Sequence, residues 1–306
     1  MNDVSSRDDD EGKGHIVLSH YGEDQQVLST LSFQYPLKLI SPRGLGQPCT
    51  SIFMMSYGGG LVGGDQIDLS VNIQENCKLA LLTQGSTKIF KQRKTRDMQQ
   101  QSTVPMPPVV TSQSMKVVIE EGGLLALLPD PIQPFADSLY NQYQSFEMHP
   151  SGNLILLDWV TSGRPARGEN WSLSSFRSRN DIFDTSVGRK LILRDTLIMN
   201  SNVAGSMYPH ECFATVILRG PLLQDFSASV VDKFRNEERV RRPSAFRAVE
   251  KGKERATWTA GIVRDGCCVV KVAGETSELV KDFLRELLVV DTVEELLGRD
   301  ALRAVI

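Results

Sequence analysis

Thr83, Gln84, Ser86, Thr87 and Lys88 fall within six consecutive positions of LLTQGSTKIF, 81–90, between apolar runs. Hydroxyl and amide oxygens beside a core form either a satisfied polar network at a turn, or the lining of a wet passage or recognition surface. If 87–91 is a strand, Thr87 and Ile89 share one face and Lys88 and Phe90 the other. A second cluster lies in DWVTSGRPARGENW, 158–171, where Gly163, Pro165 and Gly168 mark a turn and Arg164, Arg167 and Glu169 stand close together. Guanidinium and carboxylate groups at this spacing can form a two-point ion pair that holds the loop, or can be offered to a partner. A third is LLPDPIQPFADS, 127–138, stiffened by Pro129, Pro131 and Pro134, with Asp130 and Asp137 bracketing Ile132–Phe135.

The glycines of YGGGLVGGD, 57–65, raise the question of phosphate binding. A Walker-type loop needs a Gly-Lys-Ser/Thr ending that opens a helix. Asp65 follows Gly64 instead, and an alternating strand pattern follows Asp65. The donors of a helix start are therefore missing, and a carboxylate stands where an anion would be repelled. A tight crossing between strands, pinned by Asp65 accepting backbone hydrogen bonds, is the expected role.

Catalytic chemistry finds little support. The four histidines are His15 and His20 near the start, and His149 and His210, isolated in the chain. No HExxH or GxSxG occurs. An acid/base pair built from Asp130 or Glu169, as in an unrecognised hydrolase, remains as an alternative. Tight nickel or zinc sites want clustered imidazole or thiolate ligands, which this sequence lacks. Its five cysteines (Cys49, Cys77, Cys212, Cys267 and Cys268) form no CxxC pair. An odd number of this kind reads as buried thiols in a reducing compartment.

Elements that would position these residues are mostly strands. Ile67, Leu69, Val71 and Ile73 alternate with polar residues in QIDLSVNIQ, 66–74, and a turn near Asn76 leads into KLALLT, 78–83. Further strands are expected at 27–35, 50–57, 87–91, 115–120, 124–128, 139–147, 153–160, 171–177, 190–199, 256–264 and 267–273. Residues 1–24 form an acidic, disordered tail, with no basic start and apolar run of a secretory leader. Residues 91–114 form a polar, proline-containing insertion whose basic start includes Arg93, Lys94 and Arg96. From about residue 205 an α/β part is expected within the single domain 25–306. Helices are read at 222–240, ending near Pro243, at 277–289 with Ser277 capping, and from about 292 with Thr292 and Glu295 as a capping box. No apolar segment is long enough to cross a bilayer, and a net charge of -3 gives no pull toward nucleic acid.

Taken in order, GGGLVGGDQIDLSVNI, LLTQGSTKIFK, LPDPIQPFADSLYNQ and TSGRPARGENW resemble the UreD/UreH urease accessory family, with YPLKLISP similar to its eukaryotic, fungal-like or plant-like branch. The resemblance implies a mainly β fold, an elongated helical stack of strands with a few C-terminal α-helices. It implies a cytoplasmic, non-enzymatic scaffold without nucleic-acid or membrane partners. Such a scaffold binds apo-urease and a UreF-like protein, which recruits a UreG-like nickel-binding GTPase. Nickel is then in transit rather than a tightly bound cofactor, and Thr83, Thr87 and Glu169 are the candidate passage lining. Gly60, Gly63, Gly64 and Asp65, then Gln84 and Lys88, then Asp130, then Gly163, Arg164, Arg167 and Gly168 are matched as structural or partner-binding positions. A docking scaffold that passes no metal is the alternative within the same family.

Overall fold

The computed structural model describes residues 10–22, 25–42, 47–91, 109–241 and 256–303. Its strands in chain order are β1 (Lys13–Tyr21), β2 (Gln25–Phe33), β3 (Leu37–Ile40), β4 (Thr50–Ser56), β5 (Gly60–Leu61), β6 (Gln66–Ile73), β7 (Lys78–Leu82), β8 (Thr87–Ile89), β9 (Thr111–Ile119), β10 (Leu124–Leu128), β11 (Ile132–Pro134), β12 (Leu139–Met148), β13 (Asn153–Thr161), β14 (Ser175–Asp184), β15 (Lys190–Asn200), β16 (Cys212–Arg219), β17 (Thr257–Ile262) and β18 (Cys268–Gly274). The helices are α1 (Ala204–Met207), α2 (Gln224–Arg241), α3 (Ser277–Leu288), α4 (Asp291–Leu297) and α5 (Arg299–Arg303).

The chain winds between two sheets. One sheet has the order β15-β14-β12-β9-β6-β1-β2; the main path of the other is β17-β18-β16-β13-β10-β7-β4-β3. From β6 to β13 the chain crosses repeatedly from the first sheet to the second, β6 to β7, β9 to β10 and β12 to β13, each strand stacking in parallel on the previous turn, with β8 and β11 extending the second sheet off its main path. Residues in equivalent places line up down the stack. Ile73 pairs with Ile119 and Ile119 with Met148 in the first sheet; Leu79 pairs with Leu125 and Leu125 with Leu154 in the second. The turn at Asn76 is left-handed, and Asn76 N donates to Glu121 O of the turn stacked upon it. This is the expected β-stack with C-terminal helices.

Burial explains two different sequence textures. The first sheet covers the core with one face only, so β6 alternates strictly. The second is covered on both faces, by the first sheet and by α2, α3 and α4, so β7, β10 and β13 read as nearly continuous apolar runs. Val280, Leu284, Leu287 and Leu288 form the buried stripe of α3.

Several boundaries differ from expectation. Residues 1–9 of the expected disordered tail 1–24 lie outside the described residues. Residues 13–21 of it are ordered, because Lys13–Tyr21 is a strand between β2 and β6 with Ile16 and Leu18 fully buried. Its signal is diluted by Gly14, Ser19 and the two histidines, which place no apolar residue at those positions. Residues 92–108 of the insertion lie outside the described residues, as does the helix end at Pro243, but Thr111–Ser114 already belong to β9. Trp171 is a left-handed turn residue, and the following strand runs over Ser175–Asp184, not 171–177. Cys212–Arg219 is an additional central strand. Thr276 caps α3, accepting from Leu279 N at 3.3 Å, and no side-chain cap starts α4, so Ser277 and the Thr292–Glu295 box do not serve.

Candidate functional site

A belt of polar side chains crosses the interior between the sheets, perpendicular to the strands. In the first sheet, Gln113 on β9 pairs in register with Gln142 on β12, and Gln142 with Ser178 on β14. One step along, Gln144 pairs with Asn180, and Asn180 with Asp195 on β15. In the second sheet, Asp158 on β13 pairs with Thr215 on β16, Thr215 with Lys271 on β18, and Lys271 with Thr259 on β17. Strand register thus delivers to one level residues that lie far apart in sequence.

Asp158 joins the two halves. Its Oδ2 accepts Ser178 Oγ at 2.5 Å and Asn180 Nδ2 at 2.8 Å, and its Oδ1 accepts Gln142 Nε2 at 3.2 Å. Tyr140 in turn donates its hydroxyl to Gln142 Oε1 at 3.2 Å. These three side-chain partners are neutral. Withdrawal from water pushes its pKa up, Asp195 adds to the rise, and the three donors oppose it. Burial likewise raises the pKa of Tyr140, with the Asp158 charge second. Gln144 Oε1 and Asn180 Oδ1 are buried without a hydrogen-bond partner. Buried polar oxygens are seldom left so.

Asp158 lines two cavities. The smaller, about 20 Å³, is lined by Thr83, Thr87, Asp130, Gln113, Gln142 and Gln144 among others. That is room for about one water molecule. The larger, about 310 Å³, opens between the β15 and β17 edges, with apolar walls from Phe176, Leu197 and Phe213 and with Asp195 and Lys271 in its lining. Two of the expected positions, Thr83 and Thr87, therefore lie on the belt's inner end. Asp158, Gln113, Gln142, Gln144, Ser178 and Asn180 were not expected there.

The UreD urease accessory protein family model matches residues 10–306. The chain belongs to this family. An uncharacterized urease accessory protein, ureD-like, of Schizosaccharomyces pombe is 33% identical over 277 residues, covering 87% of this chain and 89% of that protein. Urease accessory protein 4 of Cryptococcus neoformans is 31% identical, covering 94% and 92%. Urease accessory protein D of Arabidopsis thaliana is 28% identical, covering 94% and 98%.

In this UreD-family chain the other sequence motifs build the rim beside the small cavity. Thr83 Oγ1 accepts Asp130 N at 2.6 Å, and Asp130 Oδ2 accepts Gly85 N at 2.7 Å and Thr83 Oγ1 at 3.3 Å. Asp130 is thus the clamp of the Thr83–Gly85 turn. Gln84 is exposed and Lys88 half-buried. Asp65 Oδ2 accepts Val62 N at 2.9 Å, the turn-pinning role expected of it. Gly60 lets the chain pass against β8, since a Cβ there would stand 2.5 Å from Lys88 O; Gly63 is exposed and Gly64 has a left-handed φ.

Glu169 takes a different place from Thr83 and Thr87. Its carboxylate is paired two-point with Arg164, through Nε at 2.9 Å and through Nη2, and also accepts Ala136 N at 3.2 Å. Arg164 lies over the Phe135 ring at 3.9 Å. Gln133 Nε2 donates to Gly163 O at 2.7 Å. The GRxxRGE loop is therefore stapled to β11 and the turn after it. Arg164 holds the Glu169 carboxyl below the usual range, with Ala136 N assisting. Arg167 is exposed, and Gly168 supplies the left-handed residue that ends the turn. Asp130 and Glu169 both serve turns, which argues against their use as an acid/base pair.

Among the described residues, no group of three or more His, Cys, Asp or Glu stands together as a metal site. Burial raises the thiols of Cys212 and Cys267 to about 12, and those of Cys49, Cys77 and Cys268 to about 11. Protonated thiols are poor metal ligands at neutral pH. No described helix is long and apolar enough to cross a membrane.

Proposed function

We propose that this chain is a non-enzymatic scaffold of urease maturation that works in the cytoplasm and passes nickel along its interior polar belt. It binds apo-urease and a UreF-like protein, and through that complex meets a UreG-like nickel-carrying GTPase. The two fungal relatives at 33% and 31% identity support placing it on the eukaryotic branch.

Asp158 is the observation that carries the passage. An interior carboxylate held by neutral donors loses several kcal/mol of hydration, while each charge-assisted hydrogen bond returns about 1.5–3 kcal/mol. Such a group contributes little to stability, and a carboxyl whose pKa burial raises, bordering a cavity, suits a functional role. Nickel is the cargo. Hydroxyl, amide and carboxylate oxygens replace part of its water shell without the retention that imidazole or thiolate would impose. In this scheme Thr83 and Thr87 face the ion at the inner end, Asp158 supplies the charge midway, and Asp130 and Glu169 hold the surrounding turns. The exposed Gln84, Arg167, Gly63 and Gly168, with Lys88 and Gly64 beside them, are the proposed partner contacts, while the buried Gly60 keeps its structural place against β8.

One observation favours the docking-only alternative: a cavity of about 20 Å³ cannot admit a fully hydrated ion. Passage therefore requires side chains around Gln142 and Gln144 to move. The test is nickel-dependent urease activation by the assembled complex carrying Asp158→Asn. Passage predicts an activation defect with complex formation intact; normal activation leaves the docking scaffold.

A further inference from the structure

Three ion pairs join the sheets on their β15–β17 side, and they differ in kind. Arg219 on β16 holds Asp184 on β14 at 2.7 Å, with side chains only 6% and 14% exposed. Lys190 on β15 meets Asp265, in the turn before β18, in the open. Further along the strands, Lys271 on β18 reaches Asp195 on β15 at 2.6 Å. Its side chain is half exposed, whereas Asp195 is 16% exposed. The more exposed lysine thus pairs with a more buried carboxylate, and both line the larger cavity.

The surroundings point to a cation. Asp195 is close enough to Asp158 to raise the latter's pKa, so two carboxylates from opposite sheets share this cavity. Asn180, 1% exposed, stands in register with Asp195 and donates to Asp158, yet its Oδ1 has no partner. Thr215 and Thr259 flank Lys271 in register and add hydroxyl oxygens. The walls are apolar, which strengthens charge interactions inside. A lysine suits a removable occupant: its charge is compact and its four-carbon stem flexible, while the rigid fork of arginine suits the fixed pair at Asp184.

We infer that Lys271 is a tethered cation closing the outer end of the polar belt, its ammonium holding the place on Asp195 that a divalent metal ion takes in passing. The inference rests on the nickel-passage reading above. Displacing the ammonium uncovers Asp195, with Asp158 and Asn180 Oδ1 behind it, as an oxygen-only site for one hydrated or partly hydrated divalent ion. Recapture by Lys271 then favours release.

The full-length protein titrated calorimetrically with nickel chloride tests this. Lys271→Met keeps the stem and removes the charge, and should bind nickel several-fold more tightly than the parent. Lys271→Arg should bind no more tightly than the parent. Lys271→Met/Asp195→Asn should lose the gain. Lys271→Gln serves if the Met variant aggregates. A Lys271→Met or Lys271→Gln titration matching the parent, including no heat from either, overturns the inference, as does a gain that survives Asp195→Asn. Urease activation by Asp158→Asn separates the two claims. Normal activation there sinks the passage and the gate with it, whereas a defect there beside an unchanged Lys271→Met titration removes the gate alone.

Discussion

Ser178 Oγ donates to Asp158 Oδ2 at 2.5 Å, tying β14 of one sheet to β13 of the other through a carboxylate held by the neutral side chains of Ser178, Asn180 and Gln142. Because the folded protein raises the pKa of Asp158, the native state holds this proton more tightly than the unfolded chain. Stability drawn from that preference is complete below the unfolded value of about 3.9 and is lost as pH rises through the higher folded value. Asp158→Asn removes the titration. Thermal unfolding of parent and variant across pH 4 to 8 should show the variant gaining relative to the parent as pH rises. A difference independent of pH would mean the carboxyl titrates as it does in the unfolded chain.

Glu169 works in the opposite sense. Arg164 and Ala136 N favour its charged form, so its contribution is present above the unfolded value of about 4.3 and disappears as pH falls through the lowered folded value. Glu169→Gln keeps the size and loses the two-point charge pairing. The expected result is a lower melting temperature at neutral pH that converges on the parent as pH falls below the lowered folded value, with faster proteolysis within 161–171. Activation at permissive temperature should fall less than for Asp158→Asn. A larger activation loss than that, at unchanged stability, would return Glu169 to the metal's route.

Gly163 has φ +111°, and a Cβ there would lie 2.9 Å from Pro134 O. Gly163→Ala therefore meets both backbone strain and a fixed carbonyl. Denaturant unfolding should show a loss of about 1–3 kcal/mol. A change within about 0.5 kcal/mol would mean the GRxxRGE loop is not held against β11 as described.

The stack was legible where one physical signal dominated. Ile67, Leu69, Val71 and Ile73 announced β6, and all four are buried. LLALL at 124–128 announced a strand, and the structure covers it on both faces. The Arg164–Glu169 pairing and the turn pinned by Asp65 followed from short spacing, and both are present. The belt was not legible, for a definite reason. In β12 the inward residues run Tyr140, Gln142, Gln144, Phe146 and Met148, so the strand could be read from its apolar end while the two glutamines in the middle passed for surface positions. Ser178 and Asn180 repeat the problem in β14. Only long-range register puts them opposite Asp158, and one sequence contains no record of register. Asp158 itself looked like the polar start of a motif whose glycines and arginines drew the attention.

Gln144 gives the sharpest separation of stability from function. It is 4% exposed, lines the small cavity and leaves its Oε1 unpartnered, an arrangement that costs about 1–3 kcal/mol for a buried polar group. Gln144→Leu is close in volume and removes the orphan oxygen. If the side chain were present for the fold, its loss would open a fault in the belt and lower stability. With the oxygen standing ready for a passing ion, the variant should be as stable as the parent or more so by about 1 kcal/mol, while nickel-dependent urease activation by the assembled complex falls. Gln144→Glu adds charge at the same place and should retain more activation than Leu at some cost in stability. A Leu variant that is both more stable and fully active would show that nothing in transit uses this oxygen, and that the inner end of the belt is tolerated rather than employed.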